Sequence, residues 1–344
     1  MAKKVGVLTG GGDCPGLNPA IRGAVMRGLD FGYEMVGLVE GWRGLMEMKT
    51  TPLSLEVVDG IISQGGTILG SSRTNPFKSE DTAKVAGENF KKLGLDALIA
   101  IGGDDTLGAA NKLFKAGFNT VGVPKTMDND LSCTDYTFGF DSAVSVAVDA
   151  IDRLRDTARS HRRIIVVEVM GRHAGWVALW SGIASDADWI LIPEVPADMN
   201  AMCAHLKGLG NRGKQWGIVV VSEGVVLDPN QADGIEKDDF GNIAHLAGQD
   251  LAKTIADYVK QATGIDTRHA VLGHIVRGGS PTIFDRVLGT RVGVKAAEMV
   301  EAGDWGKMAA LQGNDVVAVP LDKAVGVSKT VPPELYDLAK IFFK

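Results

Sequence analysis

Apolar residues fall along this chain in short continuous runs, each ending in a glycine-rich or acidic loop. Lys4-Val5-Gly6-Val7-Leu8-Thr9 reads as a strand buried on both faces. It runs into Gly10-Gly11-Gly12-Asp13-Cys14-Pro15-Gly16, and apolar positions then recur at helical spacing from about 17 to 29. The same order returns at Ala97-Leu98-Ile99-Ala100-Ile101, followed by Gly102-Gly103-Asp104-Asp105 and a helical pattern through Phe114. Thr120-Val121-Gly122-Val123 reads as a further strand, ending in Pro124-Lys125-Thr126-Met127-Asp128-Asn129-Asp130. A long helical pattern from about 141 to 159 leads into a second series, with strands at 164 to 169, 189 to 192 and 217 to 221 and a helix after Gly171. Residues 228 to 242, rich in Asp, Asn and Gly, read as an exposed loop or hairpin. Alternating strands and helices predict an α/β fold with mainly parallel sheets covered on both faces.

At 344 residues the chain is long enough for two lobes sharing a cleft, each with its own core. A hydrophobic share of 45% and a charged share of 23% are those of an ordinary globular protein. No apolar run reaches the roughly 18 residues of a membrane span, and the start is too short for a signal peptide, which points to the cytoplasm. Cys14, Cys133 and Cys203 are odd in number and have neither disulfide-framework nor zinc-ligand spacing, which fits a reducing compartment. A net charge of −6 speaks against nucleic acid as a partner but leaves room for arginines gathered in one anion pocket. Trp176, Trp180, Trp189 and Trp216 read as core or subunit-interface residues.

In open parallel sheets ligands bind beyond the carboxyl ends of strands, and the loops at 10 to 16, 102 to 105 and 124 to 130 all follow such ends. Three successive glycines permit close backbone approach and the following helix offers amides to an anion, with a tight turn before a helix as the alternative. The loop fits neither a dinucleotide fingerprint nor a P-loop. Asp104 and Asp105 at a helix start suit either a magnesium site or helix capping. Lys125, Thr126, Asp128 and Asp130 supply cation, donor and acceptors within a few residues, as phosphoryl transfer requires, although Asp-Asn-Asp is also ordinary turn chemistry. Arg163, Arg172, Arg268, His274 and Arg277 lie in or beside strand ends of the second half, several beside glycine, and suit a phosphorylated small molecule.

Together these motifs closely resemble the phosphofructokinase family. Gly6-Val7-Leu8-Thr9-Gly10-Gly11-Gly12-Asp13-Cys14-Pro15-Gly16-Leu17-Asn18, the Gly-Gly-Asp turn, residues 126 to 130, Val169-Met170-Gly171-Arg172 and Leu272-Gly273-His274-Ile275-Val276-Arg277-Gly278-Gly279 occur in family order, over about 4 to 305. The resemblance implies two Rossmann-like lobes, a donor and Mg2+ lobe at 1–138 plus about 275–304, and a fructose 6-phosphate lobe at 139–274 plus about 305–344. It implies Asp128 as base for the 1-hydroxyl of the sugar and Asp104 as the magnesium carboxylate. Gly11, Gly12 and Arg73 would face the donor phosphates, while Thr126 and Asp130 position the reacting groups. Met127, Met170, Gly171, Arg172, Glu223 and His274 would hold the sugar, with Arg163, Arg268 and Arg277 on its phosphate or on the transition state. Arg163 and Arg268 would reach in from a neighbouring subunit, implying a homodimer or homotetramer.

ATP-using members of the family carry glycine where Asp105 and Lys125 stand. Two charged side chains there imply pyrophosphate as donor, with an ATP-dependent or mixed-donor enzyme as the alternative. Arg22 and Arg155 match effector-site arginines of allosteric relatives, but Met26 replaces another. A non-catalytic sugar-phosphate sensor is the reading from a different class, and it would need neither base nor metal.

Overall fold

The computed structural model describes residues 2–227 and 250–343, so the loop or hairpin expected at 228 to 242 lies outside the described residues. The first half supplies β1 (Lys4–Thr9), β2 (Glu34–Leu38), β3 (Thr50–Pro52), β4 (Ala97–Gly102) and β5 (Thr120–Pro124). The second half supplies β6 (Ile164–Val169), β7 (Trp189–Leu191), β8 (Gly217–Ser222) and β9 (Thr267–Val271), and β10 (Lys307–Gln312) and β11 (Asp315–Pro320) follow. They form a seven-stranded sheet in the order β11-β10-β5-β4-β1-β2-β3 and a four-stranded sheet in the order β7-β8-β6-β9. The second is parallel throughout; the first is parallel except at its edges, where β3 and β11 run against their neighbours. Every residue of β4, β6 and β8 is buried, as strands covered by helices on both faces must be.

Parallel register brings the carboxyl ends of β1, β4 and β5 to one edge: Thr9 pairs with Ile101, and Gly102 with Pro124. In the second sheet Val169 pairs with Ser222, and Glu168 with Val271, so the ends of β6, β8 and β9 also lie together. One boundary read from sequence needs correction. Residues after 305 were assigned to the second lobe, yet β10 joins β5 and carries β11 with it into the first sheet. The helix Pro333–Lys340 does return to the second lobe, where the Tyr336 hydroxyl donates to the carbonyl of Ile190 at 2.9 Å.

The helices Leu17–Asp30 and Ile283–Ala302 make the most extensive helix pair, and small residues let their backbones touch. A Cβ added at Gly293 would stand 2.2 Å from the carbonyl oxygen of Ala20, and one at Gly23 would stand 2.5 Å from that of Thr290. At the other end of the pair, buried Asp285 accepts from the amide and hydroxyl of Ser142 at 2.8 and 2.6 Å. That contact pins the start of the long helix Phe140–His161, directly beyond the loop that follows β5. Gly293→Ala is expected to cost about 2 kcal/mol, as overpacking against rigid backbone does. Gly108→Ala, where the new Cβ meets nothing within 4 Å, should instead gain roughly 0.5 kcal/mol from helix propensity; urea unfolding of the two variants measures both.

Candidate active site

A cleft of about 800 Å3 lies between the two groups of strand ends. Gly11, Gly12, Arg73, Asp104, Asp105, Lys125, Thr126, Met127, Asp128 and Asp130 line it from the first sheet. Met170, Arg172, Glu223, His274 and Arg277 line it from the second. A smaller cavity of about 400 Å3, at the opposite edge of the second sheet, contains none of these residues.

One wall of the cleft is built on the glycine loop. Gly11 has φ +76, and the Ser71 hydroxyl donates to its carbonyl. The Lys125 side chain is only 3% exposed; its ammonium donates to the carbonyl of Gly12, and burial pushes its pKa below the usual lysine value. Arg277 crosses from the second sheet and donates from Nη1 to the carbonyl of Asp13 at 3.0 Å. Its guanidinium packs against Gly12, where an added Cβ would stand 2.4 Å from Nη1, so a larger residue there would displace the guanidinium. Two cations thus lie against the backbone on which an anionic donor would rest.

Beyond β5 the chain turns sharply. The Asp128 amide donates to Thr126 Oγ1 at 3.0 Å, and Thr137 Oγ1 donates to the Thr126 carbonyl at 2.7 Å. Asp128 Oδ1 is buried and has no hydrogen-bond partner among the described residues. Burial, and then the neighbouring charge of Asp130, push the Asp128 carboxyl up to about 7, while Arg277 and Arg172 act against the rise. A carboxylate with one buried oxygen unpartnered, poised near neutrality, suits a general base awaiting a hydroxyl.

Asp104 Oδ1 accepts from the Gly326 amide at 2.7 Å. Partial burial raises its pKa, with Asp130 adding to the rise and the Gly326 hydrogen bond acting against it. This fits a hard divalent cation. Among the described residues no cluster of three or more His, Cys, Asp or Glu could hold a metal; magnesium held by one or two carboxylates takes further ligands from substrate phosphates.

Three of the residues expected at the site do not line this cleft. Gly171 forms the turn beneath it, with φ +142, donating from its amide to Glu223 Oε1 at 3.4 Å and accepting from Ser222 Oγ at 2.6 Å. Arg163 and Arg268 lie at the amino-terminal ends of β6 and β9, where both pair with Asp266 at 3.5 Å. Arg163 is roughly 20 Å back along the strand from the cleft at 3.3 Å per residue. The cleft also takes in Trp42, Ser72, Thr74, Glu168, His173 and Gly326 to Ser328, none of which was expected there as a site residue. His173 directly follows the motif Val169-Met170-Gly171-Arg172. Residues 326 to 328 carry no local signal and arrive only through the long-range path of the chain.

With the geometry in place, comparison with known proteins identifies the scaffold. The phosphofructokinase family profile matches residues 4–300. The chain belongs to the phosphofructokinase family. It is 53% identical over 344 residues to a pyrophosphate–fructose 6-phosphate 1-phosphotransferase of Dictyoglomus thermophilum, covering 99% of this chain and 98% of that protein. It is also 46% identical to an ATP-dependent 6-phosphofructokinase of Streptomyces coelicolor, covering 99% of this chain and all of that one. The crystal structure of a pyrophosphate-dependent phosphofructokinase from Nitrosospira multiformis superposes with a TM-score of 0.83, covering 100% of this chain and 91% of that one; at 22% identity it shows the fold. The two sheets facing one cleft are therefore those of a phosphofructokinase.

If Asp128 is a general base, Asp128→Asn is expected to lower kcat at least about 100-fold while retaining sugar-phosphate binding, because the substitution removes a proton acceptor and little bulk. In the unsubstituted enzyme kcat/KM should fall as pH drops through about 7, where Asp128 takes up its proton. Stability runs the other way. A carboxyl raised in the folded state stabilises the protein fully below the unfolded carboxyl range, and that contribution is lost as pH rises through about 7. At pH 8 the inactive Asp128→Asn variant should therefore be more stable than the parent, by on the order of 2 kcal/mol in urea unfolding.

Proposed function

We propose that this chain transfers a phosphoryl group reversibly from pyrophosphate to the 1-hydroxyl of fructose 6-phosphate, giving fructose 1,6-bisphosphate and phosphate. The observation that carries the reading is the buried pair of Lys125 on the glycine-loop carbonyl and Asp128 with an unpartnered oxygen. Asp128 takes the proton of the hydroxyl as its oxygen attacks the terminal phosphorus. The bond from that phosphorus to the bridging oxygen breaks, and phosphate leaves with the electron pair. Lys125, Arg277 and Arg73 surround the donor side with positive charge, aimed where negative charge moves during transfer. Magnesium would be held by Asp104 with the donor's phosphate oxygens, supplying further positive charge to the phosphates when bound.

Donor choice follows from what fills the cleft beside the phosphates. Asp105 sets a carboxylate there and Lys125 a buried ammonium, so the space in which a nucleotide would continue is charged and occupied. The 53% relative named for pyrophosphate favours this reading over the 46% relative named for ATP.

Met170, Arg172, Glu223 and His274 form the sugar side. The far placement of Arg163 and Arg268 supports the expectation that they serve a neighbouring subunit, whose cleft would receive the sugar's phosphate between them. Lys125→Gly with Asp105→Gly should lower kcat/KM for pyrophosphate at least about 100-fold, the scale of losing a preorganised charge from the transition state. Initial rates with each donor measure it. A double variant as fast with pyrophosphate as the parent would overturn the assignment of the donor filter.

A further inference from the structure

Segment 326–331 leaves the first sheet after β11 and runs across the cleft to the start of the helix Pro333–Lys340. It bonds to each functional part that it passes. The Gly326 amide reaches Asp104 Oδ1 at 2.7 Å, and the Val327 carbonyl accepts from Ser132 Oγ at 2.7 Å. Ser328 forms an antiparallel bridge with Leu131, and the Lys329 amide donates to the Asp130 carbonyl at 2.7 Å. On the sugar side, the Lys329 carbonyl accepts from Trp176 Nε1 at 2.7 Å. Glu194 Oε1 accepts from the Val331 amide at 2.9 Å and from the Gly175 amide at 3.0 Å. Gly175 and Trp176 begin the helix that follows Arg172.

The Lys329 side chain completes the strap. Its ammonium has three donors and three acceptors: Asn129 Oδ1, the Thr134 carbonyl and the Asp135 carbonyl, each at 2.9 Å. Asn129 stands between Asp128 and Asp130 with φ +51, the left-handed conformation that asparagine adopts more readily than other residues with a side chain. The Thr137 amide supplies another hold on the same oxygen at 3.1 Å. Burial pushes the Lys329 ammonium down to about 8, with Asp135 and Asp130 acting against that shift.

We propose that Lys329 is a positioning residue for phosphoryl transfer: by holding Asn129 it sets the directions of Asp128 and Asp130, and its strap keeps that loop in register with the sugar-side helix. Lys329 contacts the loop that carries the base rather than the reacting atoms. The consequence is specific: losing its ammonium should misdirect the carboxylates and slow the chemical step, while the sugar site on the second sheet stays formed. A purely structural lysine would instead lower stability and leave turnover of the folded fraction intact.

The inference rests on the proposed reaction, so the parent enzyme is assayed with pyrophosphate and fructose 6-phosphate beside Lys329→Met and Lys329→Arg. Lys329→Met is expected to lower kcat at least about tenfold with KM for fructose 6-phosphate within roughly threefold, the split that marks a loss in the transition state alone. Lys329→Arg, which keeps charge and donors, should restore most of the rate. If Lys329→Met does not fold, Trp176→Phe decides, because it removes the hold on the Lys329 carbonyl from the sugar side while Glu194 still ties Val331 to Gly175 and the loop carrying Asp128 is unaltered; a lower kcat at unchanged KM is expected. Folded Lys329→Met with kcat within about twofold of the parent, or Trp176→Phe with unchanged kcat in the fallback case, would overturn the positioning role and leave the reaction standing. Absence of turnover in the parent with either donor would remove the reaction, and this role with it.

Discussion

Charge taken out of water at the meeting point of two sheets is the constraint on which the rest of this structure depends. Asp128 and Lys125 both occupy the turn after β5, and burial drives each toward its neutral form. Neither shift is useful for folding; a raised carboxyl lowers stability at neutral pH. The raised carboxyl suits a reaction in which it must accept a proton near pH 7. The buried lysine, although burial disfavours its charge, would face phosphate without a water shell between them and regain its cationic form beside that negative charge. The parallel register of β1, β4 and β5 serves this end, because it delivers the glycine loop, the acidic helix start and the catalytic turn to one edge.

Neither lobe alone makes the site. In the proposed reaction the first sheet supplies the base and a place for the donor, and the second supplies Arg172, Glu223 and His274 for the acceptor; all of these line the one cleft. Arg277 joins the two by packing its guanidinium over Gly12. Segment 326–331 joins them a second time from the other side, bonded to Asp104, to the catalytic turn and to the helix after Arg172. A cleft braced in this way can hold reacting groups in place between two separately folded cores.

Much of this was legible in the sequence where the signal is local. Strand ends followed by Gly-Gly-Gly, Gly-Gly-Asp-Asp or Lys-Thr-Met-Asp-Asn-Asp announce themselves through residue types that a buried strand does not tolerate, and every one of those loops does line the cleft. What pairs across long distances was not legible. β10 and β11 look like any two apolar runs near the end of the chain, and only their hydrogen bonds to β5 and to each other assign them to the first sheet. Lys329 sits among ordinary polar residues, with nothing nearby to reveal that its ammonium holds Asn129, 200 positions earlier. Arg163 and Arg268 look like phosphate ligands by composition, yet strand direction carries them to the edge away from their own cleft.

The electrostatic origin of the base is open to direct measurement. Carboxyl carbon-13 NMR of aspartate-labelled protein, titrated from pH 4 to pH 9 and assigned with Asp128→Asn, reads the ionisation of Asp128 itself. A midpoint near 7, absent from the variant, is the expected result. A midpoint near the ordinary carboxylate value of about 4 would contradict it, since Asp128 would then be a solvated carboxylate and burial would not be what makes it a base.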